Sequence, residues 1–393
     1  MIDKVGEKNC CICGNCVQRC PKEAISLTKN FNTFNYPEIN YNLCNGCNRC
    51  ETVCPTLNEL NQQQCLGAYM AKNINLTERK LSSSGGMFSV FANYIIENNG
   101  LVCGAAFDGL KVKHIIVDNK ADLYKLRGSK YVQSDLGDCF EQIEKYLDNN
   151  RLVLFVGCPC QTAALRCYLK EDFLGKLYVV DFICHGMLSQ NLFDEYIDYL
   201  EIKNNSNIVS FNFRDKTDGW IESGPKIKFS NGKIKRWPLY EDTYMQGYFS
   251  AVCMKNSCYT CKYKNFHSGS DITLADYWGC ENINPEFYDF YGVSSVVIQN
   301  FNGMNLFSKV LNDIDYKKIE LTDVIKYNQG LIKPFKEGKK KNEFLIEIKN
   351  GKSYIEALID IKNKENSLLK IYRTLRRKIK IFREKKVFSF SVK

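Results

Sequence analysis

The most regular hydrophobic patterns lie in the middle of the chain. Leu152–Val156 and Leu177–Ile183 are short, continuous apolar runs, which are typical of strands buried on both faces. Between them we predict a helix from Thr162 to Lys170. Strand, helix and strand in this order predict a parallel βαβ unit, and therefore an α/β body.

Other segments extend this body on both sides. An amphipathic helix is predicted from Met87 to about Asn98, where Asn98-Asn99-Gly100 ends it. Strands are predicted at Leu101–Phe107, Ile115–Val117 and Asp271–Ala275. The body is therefore expected to hold several strands besides those of the βαβ unit.

Small residues precede the first of these helices. Leu81–Gly86 reads Leu-Ser-Ser-Ser-Gly-Gly, and small residues at a helix N-terminus leave backbone amides free for a phosphate. An ordinary serine N-cap explains the same pattern. Farther along, Arg127–Tyr131 is predicted to be a polar, basic loop.

Composition limits the class of protein. The 393 residues include 45% hydrophobic ones, enough for two or three folded domains, so a disordered chain is excluded. Met1–Lys4 does not begin a secretory signal, and no apolar stretch approaches the roughly 18 residues of a membrane span. We therefore expect a cytoplasmic protein whose twenty cysteines are thiolates available to metals rather than disulfides.

The net charge of +10 belongs to one end of the chain. Lys362 to Lys393 contains 12 basic and 2 acidic residues, so the first 361 residues carry 42 charges of each sign. The body is therefore not expected to bind nucleic acid. Leu368–Phe382 is predicted to be a basic amphipathic helix that binds an acidic partner or the inner face of the membrane weakly and peripherally. A solvated helix docked on the body is the alternative.

Eight cysteines form two copies of one pattern, C-x2-C-x2-C-x3-C followed by proline. The copies are Cys10, Cys13, Cys16 and Cys20, and Cys44, Cys47, Cys50 and Cys54. This is the spacing of bacterial two-cluster ferredoxins, in which the fourth cysteine of each run binds the other cluster. We predict one 4Fe-4S cluster on Cys10, Cys13, Cys16 and Cys54, and another on Cys20, Cys44, Cys47 and Cys50. Zinc bound by C-x2-C pairs is the alternative.

Four further cysteines are candidates for a third cluster. Cys160 and Cys184 follow the two strands of the βαβ unit, and neighbouring carboxyl ends are where open α/β sheets bind ligands. Cys258 and Cys261 form a C-x2-C pair. Ordinary buried cysteine is the alternative. Any of three others could replace one ligand: Cys158, Cys253 and Cys280. The remaining ones are expected not to be ligands: Cys11, Cys65, Cys103, Cys139 and Cys167.

Residues from about 66 to 320 resemble the coenzyme F420 hydrogenase/dehydrogenase beta-subunit family, in its form with an N-terminal two-cluster ferredoxin. Seven segments carry the resemblance: Ser82–Met87, Arg127–Gln133, Gly157–Gln161, Asp181–Gly186, Phe211–Trp220, Ser257–Lys262 and Ser270–Gly279. The resemblance implies a flavin, usually FAD, beside one 4Fe-4S cluster. It does not fix the substrate.

The resemblance also implies which residues bind these groups. The third cluster would lie on Cys160, Cys184, Cys258 and Cys261, although Cys158, where relatives often carry a threonine or a small residue, leaves the choice between Cys158 and Cys160 open. The flavin contacts would be Ser83, Ser84, Gly85, Gly86, Arg127, Ser129, Lys130, Tyr131 and Gln133.

Together these patterns predict an α+β protein with four parts. Residues 1–65 form the two-cluster ferredoxin module, 66–150 the flavin-binding part, 151–330 the part with the third cluster, and 331–393 a helical basic tail. The expected function is that of an iron–sulfur flavoprotein oxidoreductase that acts on an organic or deazaflavin-type substrate and exchanges electrons with a redox partner protein or a small-molecule donor or acceptor. The alternatives are a non-catalytic electron-transfer subunit and a structural zinc protein. No Ser-His-Asp or HExxH arrangement supports hydrolase chemistry.

Overall fold

A computed structural model describes residues 1–29, 34–169, 171 and 173–363. The predicted tail helix Leu368–Phe382 lies outside the described residues. Within the described part, no helix combines the length and the apolar character needed to cross a membrane.

The strands of the described chain are β1 Ile25–Lys29, β2 Asn35–Ile39, β3 Gly67–Asn73, β4 Leu101–Asp108, β5 Lys111–Val117, β6 Val153–Gly157, β7 Leu177–Phe182, β8 Ile208–Asp215, β9 Gly224–Phe229, β10 Ile234–Arg236, β11 Ile272–Asp276, β12 Ser294–Ile298 and β13 Ile314–Ile319.

The α-helices are α1 Gly6–Asn9, α2 Asn15–Gln18, α3 Arg49–Thr52, α4 Leu76–Leu81, α5 Met87–Glu97, α6 Cys139–Asp148, α7 Pro159–Tyr168, α8 Gln190–Asn204, α9 Thr243–Ser250, α10 Asn256–Tyr259, α11 Cys280–Ile283, α12 Phe301–Lys309, α13 Leu321–Tyr327, α14 Lys341–Lys349 and α15 Tyr354–Asn363.

One mixed sheet forms the centre of the body, with strand order β13-β3-β12-β11-β7-β6-β4-β5. The four strands β4, β6, β7 and β11 are parallel to one another. The remaining strands pair antiparallel with their neighbours. Strands from residues 66–150 and from residues 151–330 thus contribute to the same sheet.

The predicted βαβ unit is confirmed. Strand β6 pairs in parallel with β7, with Val153 opposite Leu177, and α7 connects them. The helix begins at Pro159, three residues before the predicted start, because Cys158 and Gln161 cap its first turn and proline at the first helical position has no N–H to satisfy. The carboxyl ends of β6, β7 and β11 therefore lie side by side.

The N-terminal module contains the two-stranded sheet β1-β2 and packs directly on the body. Asn15, only 1% exposed, donates from Nδ2 to the carbonyl of Ala164 in α7 at 2.8 Å. Arg19 pairs with Glu144 of α6 at 2.5 Å and lies over the ring of Tyr168. The module is thus held against the helices that flank β6.

The segment between the module and β3 also follows the body. The amide of Gln63 donates to the carbonyl of Phe266 at 2.9 Å, and that of Leu66 to Ile298 at 2.8 Å. The stretch from Asn58 to Gln64 is polar, as is typical of a linker, but the structure shows this segment hydrogen-bonded to the body along part of its length.

Candidate functional site

The N-terminal module encloses two small cavities lined by thiols. Each cavity is lined by the four cysteines that the sequence predicts for one cluster. The first is lined by Cys10, Cys13, Cys16 and Cys54, and also by Cys11, which the sequence did not predict as a ligand. The second is lined by Cys20, Cys44, Cys47 and Cys50. We call them the first and second cluster sites. In each, the fourth cysteine comes from the other run, as the ferredoxin pattern requires.

The backbone of both sites suits sulfur ligands. Gly14 and Gly46 have φ angles of +77° and +72°, a region that glycine adopts without steric cost. Backbone amides reach the thiols: that of Ile12 lies 3.4 Å from the sulfur of Cys10, and that of Ala24 lies 3.3 Å from Cys20. Such N–H groups favour negative sulfur and tune a cluster's potential.

The two sites differ in their access to solvent. Cys13, Cys16 and Cys54 of the first site are buried, whereas Cys47 of the second is exposed. The first site lies against the body, where Cys11 and Asn15 of its lining form hydrogen bonds with Lys255 and Ala164.

A third group of cysteines forms where the sheet meets α10. Cys158 and Cys160 follow β6, Cys184 follows β7, and α10 and its C-terminal turn supply Cys258 and Cys261. The thiol of Cys158 is close enough to interact with those of Cys160 and Cys184. Burial raises the pKa of the Cys258 and Cys261 thiols to about 12. The structure thus brings together the four predicted residues and Cys158.

Two buried lysines accompany this third cysteine group. Lys255 is 1% exposed, and its ammonium donates to the carbonyl of Cys11 at 2.5 Å and to Oε1 of Gln133 at 2.7 Å. Lys264, 8% exposed, donates to the carbonyls of Cys184 and Gly330. These acceptors are neutral, and a buried ammonium needs negative charge nearby. Burial disfavours the charged form of Lys255, but the surrounding thiols, Cys160 foremost, outweigh it and raise its pKa.

This environment suits a 4Fe-4S cluster, whose thiolates would supply the missing negative charge. Within the described residues, no three His, Cys, Asp or Glu side chains are grouped as the ligands of a single metal ion would be. A cubane instead distributes its four thiolates over four irons. The donor set and its charges therefore fit such a cluster.

A cavity of about 550 Å³ adjoins the third cysteine group. It lies between the N-terminus of α5, the loop Arg127–Tyr131 and the carboxyl ends of β6, β7 and β11. Cys158 and Cys184 form part of its wall. The volume is within the range typical of small-molecule and cofactor sites.

The N-terminus of α5 opens onto this cavity. Gly86, with φ +86°, is the N-cap residue, and no side chain caps the helix. The serine N-cap that the sequence allowed is therefore wrong. Met87 and Phe88 line the cavity as well, so the uncapped amides of the first turn lie at its wall.

Most of the residues implied as flavin contacts line this cavity: Ser83, Ser84, Gly86, Arg127, Ser129, Lys130 and Tyr131. Several already have protein partners. Ser83 accepts hydrogen bonds from the amide and hydroxyl of Ser129 at 2.8 and 2.9 Å, and Arg127 pairs with Glu78 at 2.7 Å. Lys130 donates to the carbonyls of Lys125, Leu126 and Arg127. Their side chains therefore shape the wall.

Two of the implied contacts lie elsewhere. Gly85 packs against the backbone of β3 and the start of β12, so that a Cβ there would come within 2.5 Å of the carbonyl oxygen of Ala71. Gln133 contacts the N-terminal module, where its Nε2 donates to the carbonyl of Ile12 at 3.3 Å. Neither residue lines the cavity.

Sequence reasoning assigned no role to an aromatic and ionic group in the cavity wall. Trp278 stacks on Trp220 with ring centroids 4.6 Å apart and planes within 1°. Asp276 accepts from the Trp220 indole at 2.8 Å and from Arg214 at 2.7 Å. Both tryptophans lie in segments that carry the family resemblance, which was the available signal.

Known protein families match both the N-terminal module and the body of this chain. A 4Fe-4S dicluster domain model matches residues 9–58. The model for the C-terminal region of the coenzyme F420 hydrogenase/dehydrogenase beta subunit matches residues 150–327. Residues 150–327 are therefore similar to this beta-subunit family, and residues 9–58 to the dicluster ferredoxins.

Its individual relatives are distant. The coenzyme F420-dependent sulfite reductase of Methanocaldococcus jannaschii is 25% identical over 348 residues, which are 84% of this chain and 50% of the relative. The chain thus spans about half the length of this curated relative. A chain of the F420-reducing [NiFe] hydrogenase complex from Methanosarcina barkeri is 18% identical, with a TM-score of 0.44 over 78% of this chain and 94% of that one.

The dicluster match supports 4Fe-4S binding by the N-terminal module. The zinc alternative has no such support. The beta-subunit model begins just before β6 and ends after α13, so it covers the βαβ unit and all five cysteines of the third group.

Proposed function

We propose that this chain is an iron–sulfur oxidoreductase that moves electrons between three 4Fe-4S clusters and a flavin in the main cavity, for oxidation or reduction of an organic or deazaflavin-type substrate. One observation carries the proposal: the cavity shares Cys158 and Cys184 of its wall with the third cysteine group. A cofactor bound there would lie directly beside a cluster. A deazaflavin-type substrate is favoured because the distant sulfite reductase is named for coenzyme F420.

The proposed third cluster uses Cys160 rather than Cys158. Cys160 interacts with both Cys258 and Cys261 and packs with Cys261 in the same hydrophobic cluster. Cys158 instead is the buried N-cap residue of α7, where its amide donates to Oε1 of Gln161 at 2.9 Å. We therefore assign Cys160, Cys184, Cys258 and Cys261 as ligands.

The cavity residues would bind and orient the flavin. The uncapped N-terminus of α5 at Gly86 provides amides for phosphate groups, and the stacked Trp278 offers a flat apolar surface for a ring system. Arg127, fixed by Glu78, holds the opposite loop in position. A bound flavin supplies the junction between two-electron hydride chemistry and one-electron cluster chemistry. We leave Gly85 and Gln133 out of this binding set.

The burial of the cysteines suggests where electrons enter or leave. Cys47 is exposed and the first cluster site is mostly buried. Lys255 contacts both the loop of the first site and the third cysteine group, and two cysteines of that group line the cavity. We propose that a redox partner protein docks at the second cluster site, and that the first cluster connects it to the third.

The alternative is a non-catalytic electron-transfer subunit. The chain matches about half of a longer relative, so the substrate site could belong to a separate partner.

The test uses full-length protein purified without oxygen, with clusters reconstituted and FAD or FMN added. We expect roughly twelve irons and equal sulfide per chain, one bound flavin, and dye reduction by a small-molecule hydride donor. Eight irons would contradict the third cluster. Full iron with no bound flavin would contradict the flavin site, and bound flavin without dye reduction by any donor would favour the carrier alternative.

A further inference from the structure

Lys255 connects the N-terminal module with the third cysteine group. Its backbone is the N-cap position of α10, the helix that carries Cys258. Its side chain reaches the loop of the first cluster site, where Nζ lies 2.5 Å from the carbonyl oxygen of Cys11, and the same ammonium interacts with the thiols of Cys160 and Cys258 in the third group. One buried charge therefore lies beside two cysteine groups.

Gln133 fixes this lysine in place. Its Oε1 accepts from Lys255 at 2.7 Å, and its Nε2 donates to the carbonyl of Ile12 at 3.3 Å. The Cys11–Ile12 stretch thus receives one hydrogen bond from each side chain. Ile12 has a φ of +56°, which is uncommon for a branched residue. The loop that presents Cys10 and Cys13 is held in this conformation from the body.

A fixed positive charge changes the energy of a reduced cluster more than that of an oxidised one, because reduction adds negative charge. In a site without water the effect is screened weakly. Net local charge and burial are among the properties that set cluster potentials. An ammonium between two clusters therefore raises the reduction potentials of both.

Lys264 provides a natural comparison. It is also buried, and its ammonium ends on the carbonyls of Cys184 and Gly330, beside the third group only. Lys145 serves as the control lysine, because its charge should not affect any cluster potential. Its side chain is 68% exposed on α6 and pairs with Glu141.

We propose that Lys255 is a positioning residue that couples the first and third clusters electrostatically, its charge raising the reduction potentials of both at the junction between the module and the body. This role rests on the three-cluster function proposed above.

The test is an EPR-monitored redox titration of the full-length, cluster-loaded protein. Serine variants of one ligand each, Cys16, Cys47 and Cys261, assign the signals. We expect Lys255→Met to shift the potentials of the first and third clusters to lower values and to leave the second unchanged. Lys264→Met should lower only the third, and Lys145→Met none.

Two further variants separate the effect of the lost charge on the potentials from an effect on folding. Lys255→Gln keeps a hydrogen-bond donor without the charge and should give the same pattern, whereas Lys255→Arg should retain the original potentials. Unchanged potentials in the loaded Lys255→Gln protein would overturn the proposal, as would an equal shift of all three clusters. Iron analysis distinguishes failure of the Lys255 proposal from failure of the proposed function. Eight irons per chain would show that the third cluster is absent, and the shift in the potential of the first cluster would still decide the role of Lys255.

Discussion

Asp271 shows how single buried polar residues hold the body together. It is 1% exposed, and its carboxylate accepts four hydrogen bonds of 2.7 to 3.0 Å, from Arg166, the amide of Val179, Asn300 and Asn302. These donors belong to α7, β7 and the start of α12. The residue thus joins elements on both sides of β11, the strand that it precedes.

We predict that Asp271→Ala lowers the free energy of unfolding by about 3–5 kcal/mol, because it removes the buried carboxylate that pairs with the guanidinium of Arg166, a side chain that is itself only 11% exposed. Urea denaturation under anaerobic conditions, followed by tryptophan fluorescence, measures the change. Asp108→Ala, which removes an exposed partner of Lys113, is the matched control and should unfold like the original protein. Equal midpoints for both variants would refute this role of Asp271.

A second residue-scale prediction concerns the ligand choice that the sequence left open. Cys160→Ser should lose about four irons per chain, because a cubane without one thiolate is poorly held. Cys158→Ser should keep the full iron content, since a serine hydroxyl can still cap α7. Iron and sulfide analysis of the two purified proteins compares them directly. Loss of iron in Cys158→Ser alone would reverse the assignment.

At this scale the sequence predicts the residues whose chemistry depends on local spacing. The two cysteine runs were recognisable because three ligands of each cluster must come from one short loop. The role of Lys255 was not recognisable from the sequence, because its partner Cys11 is 244 residues away. A lone lysine before a C-x2-C pair has no distinguishing pattern. The same holds for Asp276 and Arg214, which are 62 residues apart.

Individual elements were predicted where an apolar run and a terminating signal coincide. Strand β7 begins at Leu177 and α5 begins at Met87, as predicted. The N-cap of α5 was less certain, because serines and glycines stand side by side in Ser82–Gly86 and both are accepted there. The packing of the folded chain explains why glycine stands at position 86. A Cβ added there would lie 3.1 Å from the Cβ of Asn73.

The short helix α2 fastens the N-terminal module to α7. Asn15→Ala removes the hydrogen bonds from Nδ2 to the carbonyls of Val53 and Ala164 and leaves these buried groups unpaired. We predict faster proteolysis within residues 57–66, with a loss of stability of about 1–3 kcal/mol. The control Asn42→Ala changes an exposed residue of the same module and should be cut at the original rate. Identical cleavage rates would show that α2 does not hold the module.

At the scale of the whole molecule, charge is distributed unequally. The ten net positive charges lie in residues 362–393, and the body is formally neutral before any cluster binds. Each bound cubane adds negative charge, so the loaded body is expected to be acidic. The parallel part of the body could be predicted from its βαβ pattern. The antiparallel positions of β3 and β13 could not be predicted, because the strands that they pair with are distant in sequence.

We predict that the full chain binds anionic vesicles at low salt and that a chain ending at Asn363 does not. Each basic residue near an anionic surface contributes about 1 kcal/mol, and salt screens it. Ending the chain at Asn363 retains Ile361, which is buried in the core of the body. Co-sedimentation with anionic and with neutral vesicles measures the difference. Equal binding by the two chains would rule out the tail as a membrane contact.

The docking of the module has a consequence for kinetics. Asn15, Arg19 and Lys255 attach it to three different elements of the body, so the module does not need to swing to deliver an electron. Internal transfer between its clusters and the body should then be a single exponential process whose rate is independent of solvent viscosity and of protein concentration. Only the encounter with an external partner at Cys47 would depend on diffusion.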